Sequence, residues 1–328
     1  MKIFKNLVPA ILLSVAICGC SNAAEKTERR SGTTPKGAQQ GMKTYYLGRF
    51  AVDVPADYKL EMRSQTIRYA EVVDYKWQTH GNHEHERNEL WANKMSEIAR
   101  LHKPIDKKQI IIEEKDLKGL GSWAKAVQYY GNYLVTESLY WTVLVDYGDV
   151  GVMLTIDGAD NDMTIANFTN ILSHYRYGAL DQSARDSFYL NYGKITLPYL
   201  EQEKTYARFE GPMEMILRIE MAETHKVEEA GVMDRLVASL AVNFAPGVDV
   251  DKIRSGKRTV AGLAGQEIAT QMSDDNGKEL FFAWEYLGKE NSGEYPEIKI
   301  GVECPAGNQK EKLKVWDRVL DSFRPLYK

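Results

Sequence analysis

The sequence predicts an α+β fold of two similar domains, each a mainly antiparallel sheet with helices packed on it. Three observations lead there. Short runs of alternating apolar and polar residues, the mark of half-buried strands, are interleaved with apolar stripes at helical spacing. The series recurs when the second half is slid back by about 142 to 148 residues, which reads as an internal duplication. Finally, 328 residues with 44% hydrophobic and 27% charged composition suffice for two cores of ordinary size. The expected organisation is a signal segment at 1–19, a tether at 20–43, a first domain at 44–180 and a second at 187–328.

At the N-terminus, Lys2 and Lys5 precede an apolar run from Leu7 to Ile17 and then small residues, the layout of an export signal. The run is shorter than the roughly 20 apolar residues that span a bilayer. It ends in Ile17-Cys18-Gly19-Cys20, which resembles a bacterial lipobox: an aliphatic residue, two small ones, and the cysteine that is acylated to become the mature N-terminus. Acyl chains on Cys20 would hold the protein on a membrane at about 0.8 kcal/mol per buried CH2. In the lipoproteins this start resembles, Asp after the cysteine favours the inner membrane, so Ser21 implies a periplasm-facing, outer-membrane location. From Ser21 to about Met42 there is no apolar period, which predicts a flexible tether of roughly 25 Å reach. With Cys18 removed and Cys20 acylated, Cys304 has no disulfide partner, so stability must come from the core. A net charge of -4 and a pI near 6.0 supply no basic field for phosphates, which argues against a nucleic-acid partner.

The folded elements follow in pairs. The strand Gly48 to Pro55 matches Tyr192 to Pro198, and both end at proline. Trp91, Met95, Ile98 and His102 form one helical stripe; Met233, Val237, Leu240 and Phe244 repeat its spacing. Gly119-Leu120 and Gly262-Leu263 each open a strand, and Trp141 falls opposite Trp284. The hairpin turns are Gly131-Asn132 and Asp275-Asn276-Gly277, where Asn-Gly supplies the positive φ of a tight turn. Val150 to Ile156 matches Pro296 to Val302. Closing helices carry Ile165, Phe168, Leu172 and Tyr175, and Leu313, Trp316, Leu320 and Phe323, at identical spacings. The helices are expected on one face of each sheet.

His80, His83 and His85 crowd into "THGNHEHERNELW" and suggest a metal site. Helical metal motifs need ligands at i and i+4, as in H-E-x-x-H, and the spacing here is three and then two. A solvated helix start fits better, with Asn82 as cap and Glu84 and Glu86 favouring the dipole. No serine stands in G-x-S-x-G, and no Walker loop occurs. The acids Asp157, Asp160 and Asp162 hint at calcium, but an EF-hand from Asp160 would need glycine where Ile165 stands. The sequence therefore predicts no catalytic residue, no cofactor and no metal, and a protein that works by binding. Its partner-binding residues are expected on loops projecting between the domains: Asp157, Asp160 and Asp162 in one, Asp274 and Asp275 in the other.

"YLGRFAVDVPADYKL" and "AGLAGQEIATQ…ELFFAWEYLG…YPEIKIGVECP" resemble the two-domain immunity proteins made against type VI secretion phospholipases of the fourth lipase class. The resemblance runs from Tyr45 to Tyr327 and rests on structural motifs: Asp53-Val54-Pro55, Gly262-Leu263, and Trp284-Glu285 with Gly288. It implies a periplasm-facing lipoprotein whose two domains clamp a cognate lipase effector and keep its active site from lipid. The histidine-rich segment is outside that pattern. Alternatives from other classes are an envelope lipoprotein with a ligand-binding or assembly role, and a metal-dependent enzyme.

Overall fold

A computed structural model describes residues 41–79, 83–135, 137–158, 161–178, 186–227, 249–274 and 277–327. The first half supplies β3 (Lys59–Ile67), β4 (Ala70–Lys76), β5 (Ile111–Asp116), β6 (Trp123–Tyr130), β7 (Leu139–Asp146) and β8 (Val150–Asp157). The second supplies β12 (Lys204–Glu210), β13 (Ile216–Ala222), β14 (Asp249–Val260), β15 (Leu263–Asp274), β16 (Gly277–Tyr286) and β17 (Glu297–Pro305). These twelve strands form one sheet in the order β14-β15-β16-β17-β13-β12-β3-β4-β8-β7-β6-β5. Every neighbouring pair is antiparallel, and β3 against β12 joins the halves.

Three α-helices are described: α1 (Glu84–Ala99), α2 (Asn161–Ser173) and α3 (Gln309–Ser322). Phe168, Ile171 and Leu172 of α2 pack on Val143, Val145, Val152 and Leu154. Trp91 and Ile98 of α1 pack on Val127, Leu144 and Met153, which point to the other face. The expectation of helices on a single face is therefore corrected. The reason lies in β7 and β8, which are apolar at both parities and need a cover on each side. In the second half α3 sets Trp316, Val319 and Leu320 against Phe282, Trp284, Ile300 and Val302. Arg63 pairs with Ala207 across the joint and shares a face with Gln65 and Ile67, so α2 and α3 lie on the same side.

The helical stripes are shorter than their spacing suggests. Helix α1 stops at Ala99 and leaves His102 exposed beyond it. Tyr175 and Phe323 each lie just past the end of a closing helix, yet both are buried, because the extended chain there still runs over the sheet. The stripe from Met233 to Phe244, Cys20 and the lipobox lie outside the described residues.

The opening hairpins are exchanged. β1 (Met42–Leu47) and β2 (Phe50–Pro55) fill the core of the second half, with Leu47, Phe50, Val52 and Val54 set among Trp284, Trp316 and Phe323. Phe50 stacks on Phe323 at 5.2 Å, and β2 pairs with β18 (Arg324–Pro325). β10 (Ser187–Tyr189) and β11 (Gly193–Thr196) cap the first half in turn, where β11 pairs with β9 (Tyr175–Tyr177). The two hairpins touch at Gly48, whose N–H donates to Tyr189 O at 3.2 Å and whose carbonyl accepts from Tyr189 N at 2.8 Å. Gly48 has φ 59°, and a Cβ there would come within 2.7 Å of Thr205 Oγ1, so only glycine fits.

Polar groups pin this crossing. Arg63 Nη2 donates to Tyr46 O at 2.6 Å and Tyr189 O at 3.0 Å, one carbonyl from each hairpin. Burial lowers the Arg63 pKa to about 10, against the raising influence of Asp74. Asp74 accepts from the N–H of Asn191 at 3.0 Å and of Tyr192 at 2.8 Å, while its burial raises the carboxyl. Arg49 grips Glu203 with two bonds, at 2.7 and 2.6 Å, and donates to Leu197 O.

Candidate partner-binding surface

The histidine cluster is dispersed by the fold. His80 lies outside the described residues. His83, just before α1, puts Nε2 2.8 Å from Asp146 Oδ2 and stacks on Trp77 with ring planes 3° apart. Asp146 is fully buried and also accepts from Arg87 Nη1 at 3.2 Å, Trp77 Nε1 at 3.3 Å and Gly148 N at 2.8 Å. His85 faces solvent with Glu89 4.0 Å away. Among the described residues no three His, Cys, Asp or Glu side chains gather to hold a metal ion. The solvated helix start describes His85; His83 is instead a pin between α1 and the sheet. An acid closing the apolar run "LYWTVLVD" was the available signal, since a buried carboxylate requires donors.

Among the described residues the start of α1 is tied back by Glu86. His83 makes no side-chain cap bond, and Asn82 lies outside the described residues. Glu86 instead reaches back to accept from the N–H groups of Gln78 and Thr79, at 2.8 Å each.

The predicted contact acids do not converge. Asp157 ends β8 opposite Tyr140 and is exposed; Asp162 is exposed in the first turn of α2. That helix start is tied to the sheet by Gln128, which donates to Asn161. Asp274 ends β15, and its Oδ1 accepts from the N–H of Gly277, the first residue of β16, at 3.0 Å. Asp160 and Asp275 lie outside the described residues. Seven antiparallel steps separate β8 from β15, so the two strands run in opposite directions and end at opposite edges of the sheet. At about 4.8 Å per step they are also roughly 34 Å apart across it. Both loops thus stand on outer edges, one in each half, and not between the halves.

Beside the joint, the second half carries a charged face opposite α2 and α3. Lys204, Tyr206 and Arg208 of β12 alternate with buried Thr205, Ala207 and Phe209, and β13 does the same with Arg218 and Glu220. Arg218 meets Glu303 at 2.6 Å and Lys204 meets Glu220 at 3.7 Å. Burial raises the Glu220 carboxyl and Lys204 opposes it. Such a face offers complementary charge to a partner. The strict alternation of "KTYARFE" and "ILRIEMA" could have marked it in the sequence.

This architecture places the chain in the class of sheet-dominated α+β proteins, with three helices among the described residues on a mainly antiparallel sheet. Over residues 190–326 it matches the family described as Tle cognate immunity protein 4, C-terminal domain. The resemblance noted in the sequence pointed to the same immunity proteins. No curated protein matches the chain. Solved structures share its fold. The apo immunity protein TplEi of the type VI secretion system from Pseudomonas aeruginosa is 18% identical, with 88% of this chain and 98% of that one covered and a TM-score of 0.67. The Tle4–Tli4 complex gives 16% identity, coverage of 88% and 99%, and a TM-score of 0.69. TplEi complexed with an "L" peptide gives 16%, 88% and 99%, and 0.65.

Proposed function

We propose that this protein is an immunity lipoprotein that binds a type VI secretion phospholipase and neutralises it from the periplasmic face of the outer membrane. The observation that carries this reading is the match of residues 190–326 to the C-terminal domain of Tle cognate immunity proteins. A fold shared with the immunity protein of the Tle4–Tli4 complex supports it. Its work is binding and not catalysis: it prevents the effector's active site from engaging lipid. Acyl chains on Cys20 hold it at the membrane, and residues 20–43 give it reach.

The two halves, 44–180 and 187–328 in sequence, descend from one duplicated unit. Support comes from the strand order, which runs outward from the joint as β3-β4-β8-β7-β6-β5 and as β12-β13-β17-β16-β15-β14. Gly119 and Gly262, at matching turns, adopt φ of 85° and 81°. Contact acids Asp157 and Asp162 lie on the edge that meets the effector, and Asp274 stands on the opposite one.

The test is protection. The gene for this chain should neighbour a lipase gene; cells producing that lipase in the periplasm should survive when they also produce this chain, and the two proteins should co-purify. Survival without a complex, or a complex without survival, would sink the reading. A Cys20→Ser chain should lose membrane association in cell fractionation.

A further inference from the structure

Five large apolar side chains stand in solvent together at one end of the first half. Leu101 (44% exposed) and Ile105 (93%) lie in the loop after α1; Tyr133 (51%), Leu134 (72%) and Val135 (44%) lie at the tip joining β6 to β7. The two loops are held side by side. Tyr130 N donates to Ile110 O at 3.1 Å, the rings of His102 and Tyr133 are 6.0 Å apart, and Lys107 Nζ sits 5.8 Å from the Tyr130 ring. Two bonds lie within the tip. Gly131 N donates to Ser138 O at 2.9 Å, and Leu134 N donates to Asn132 Oδ1 at 2.8 Å.

The sheet does not require these residues to be apolar. In the second half the corresponding β15–β16 tip turns with Asp274 and Gly277 and continues into exposed Lys278. An apolar cluster kept in water at one of two equivalent tips marks a contact surface. We infer that Leu101, Ile105, Tyr133, Leu134 and Val135 form the anchor of the interface with the effector, inserting into an apolar groove of that lipase.

The surroundings of the cluster favour a protein over a bilayer as occupant. The rim mixes signs: Lys103, Lys107 and Lys108 stand beside Asp106, Glu137 and Asp157, and Lys107 is paired with Asp106 at 2.9 Å. A lipid surface selects a uniformly basic rim, whereas protein interfaces carry an apolar centre within a mixed polar one. Attachment of the remaining chain points the same way. Gly41, beyond which 40 further residues lie, bonds to Ala56 just before β3 begins, at the sheet edge opposite the tip. The tip therefore faces away from where the N-terminal segment is attached. A phospholipase must hold acyl chains and so carries apolar grooves, which gives the anchor a complement.

This inference rests on the proposed immunity function, and the experiment separates the two. Full-length wild-type protein, a Leu134→Asp/Val135→Asp variant and an Asp274→Lys/Lys278→Glu variant are titrated in detergent against the type VI phospholipase that the immunity reading expects to be encoded beside this chain. Circular dichroism should be the same for all three. The apolar-tip variant should bind about thirtyfold more weakly or worse, as loss of a central anchor does, and the other should bind like wild type. Failure of the wild type to bind would overturn the immunity reading and the anchor together. Equal binding by the Leu134/Val135 variant, or an equal loss at the Asp274 tip, would overturn the anchor alone. A benzophenone amino acid at position 134 in living cells should crosslink to the lipase; adducts of lipid mass alone would overturn the assignment in favour of the bilayer.

Discussion

Removing residues 41–58 should unfold the second half of the protein and spare the first. The hairpin inserts Leu47, Phe50, Val52 and Val54 into the second core, each 2% exposed or less. At about 1.5–3 kcal/mol per buried side chain of this kind, their loss costs roughly 6–12 kcal/mol. Extended-chain references make that an upper figure, yet it is comparable to the whole stability of a domain, about 5–15 kcal/mol. Further bonds go with it: Asp53 N to Ser322 Oγ at 2.8 Å, and Arg324 Nη1 to Asp53 Oδ1 at 3.2 Å. The expected result is that a 187–328 fragment shows no cooperative melt. The same fragment, carrying 41–58 at its C-terminus through a flexible linker of about eight residues, should regain one. A fragment of 59–200 should melt cooperatively by itself, because its core draws Phe188, Leu190, Ile195 and Leu197 from within those bounds. Near-UV circular dichroism and calorimetry read both outcomes. A cooperative transition for 187–328 alone at the temperature of the full chain would refute the reasoning.

Four further outcomes are expected. Asp146→Ala leaves Arg87 and His83 without their buried acceptor and should destabilise the first half by about 3–5 kcal/mol in urea titration, while zinc should leave the melting temperature of wild type unchanged. Gly48→Ala forces a Cβ against Thr205 at a left-handed backbone position and should cost about 1–3 kcal/mol by the same measurement. Burial pushes the Cys304 thiol up to about 11 despite the nearby Lys312, so alkylation at pH 8 should be negligible until denaturant is added.

Much of the fold could be read from local pattern. Trp141 and Trp284 fall in matching strands and are both fully buried, and Phe168, Leu172, Trp316 and Leu320 lie on buried helix faces, because periods of 2.0 and 3.6 are local properties. What escaped was the choice of partner. "GRFAVDVP" and "YGKITLP" have equivalent patterns, and nothing within either says which core it fills; that is decided by Arg63, Gly48 and the joint between β3 and β12. His83 escaped for a similar reason, its acceptor being 63 residues away. Exposure of Asp157 was legible from its loop, but the edges that Asp157 and Asp274 occupy follow only from strand order.

The exchange of hairpins also sets an order of events during synthesis. Asp53 meets Arg324 across 271 residues, so the second core cannot close until the last helix has emerged. The first half has its final strand by Thr196 and can be complete long before. A chain threaded from its N-terminus thus folds its middle first, while its leading hairpin waits, and locks its two ends together last.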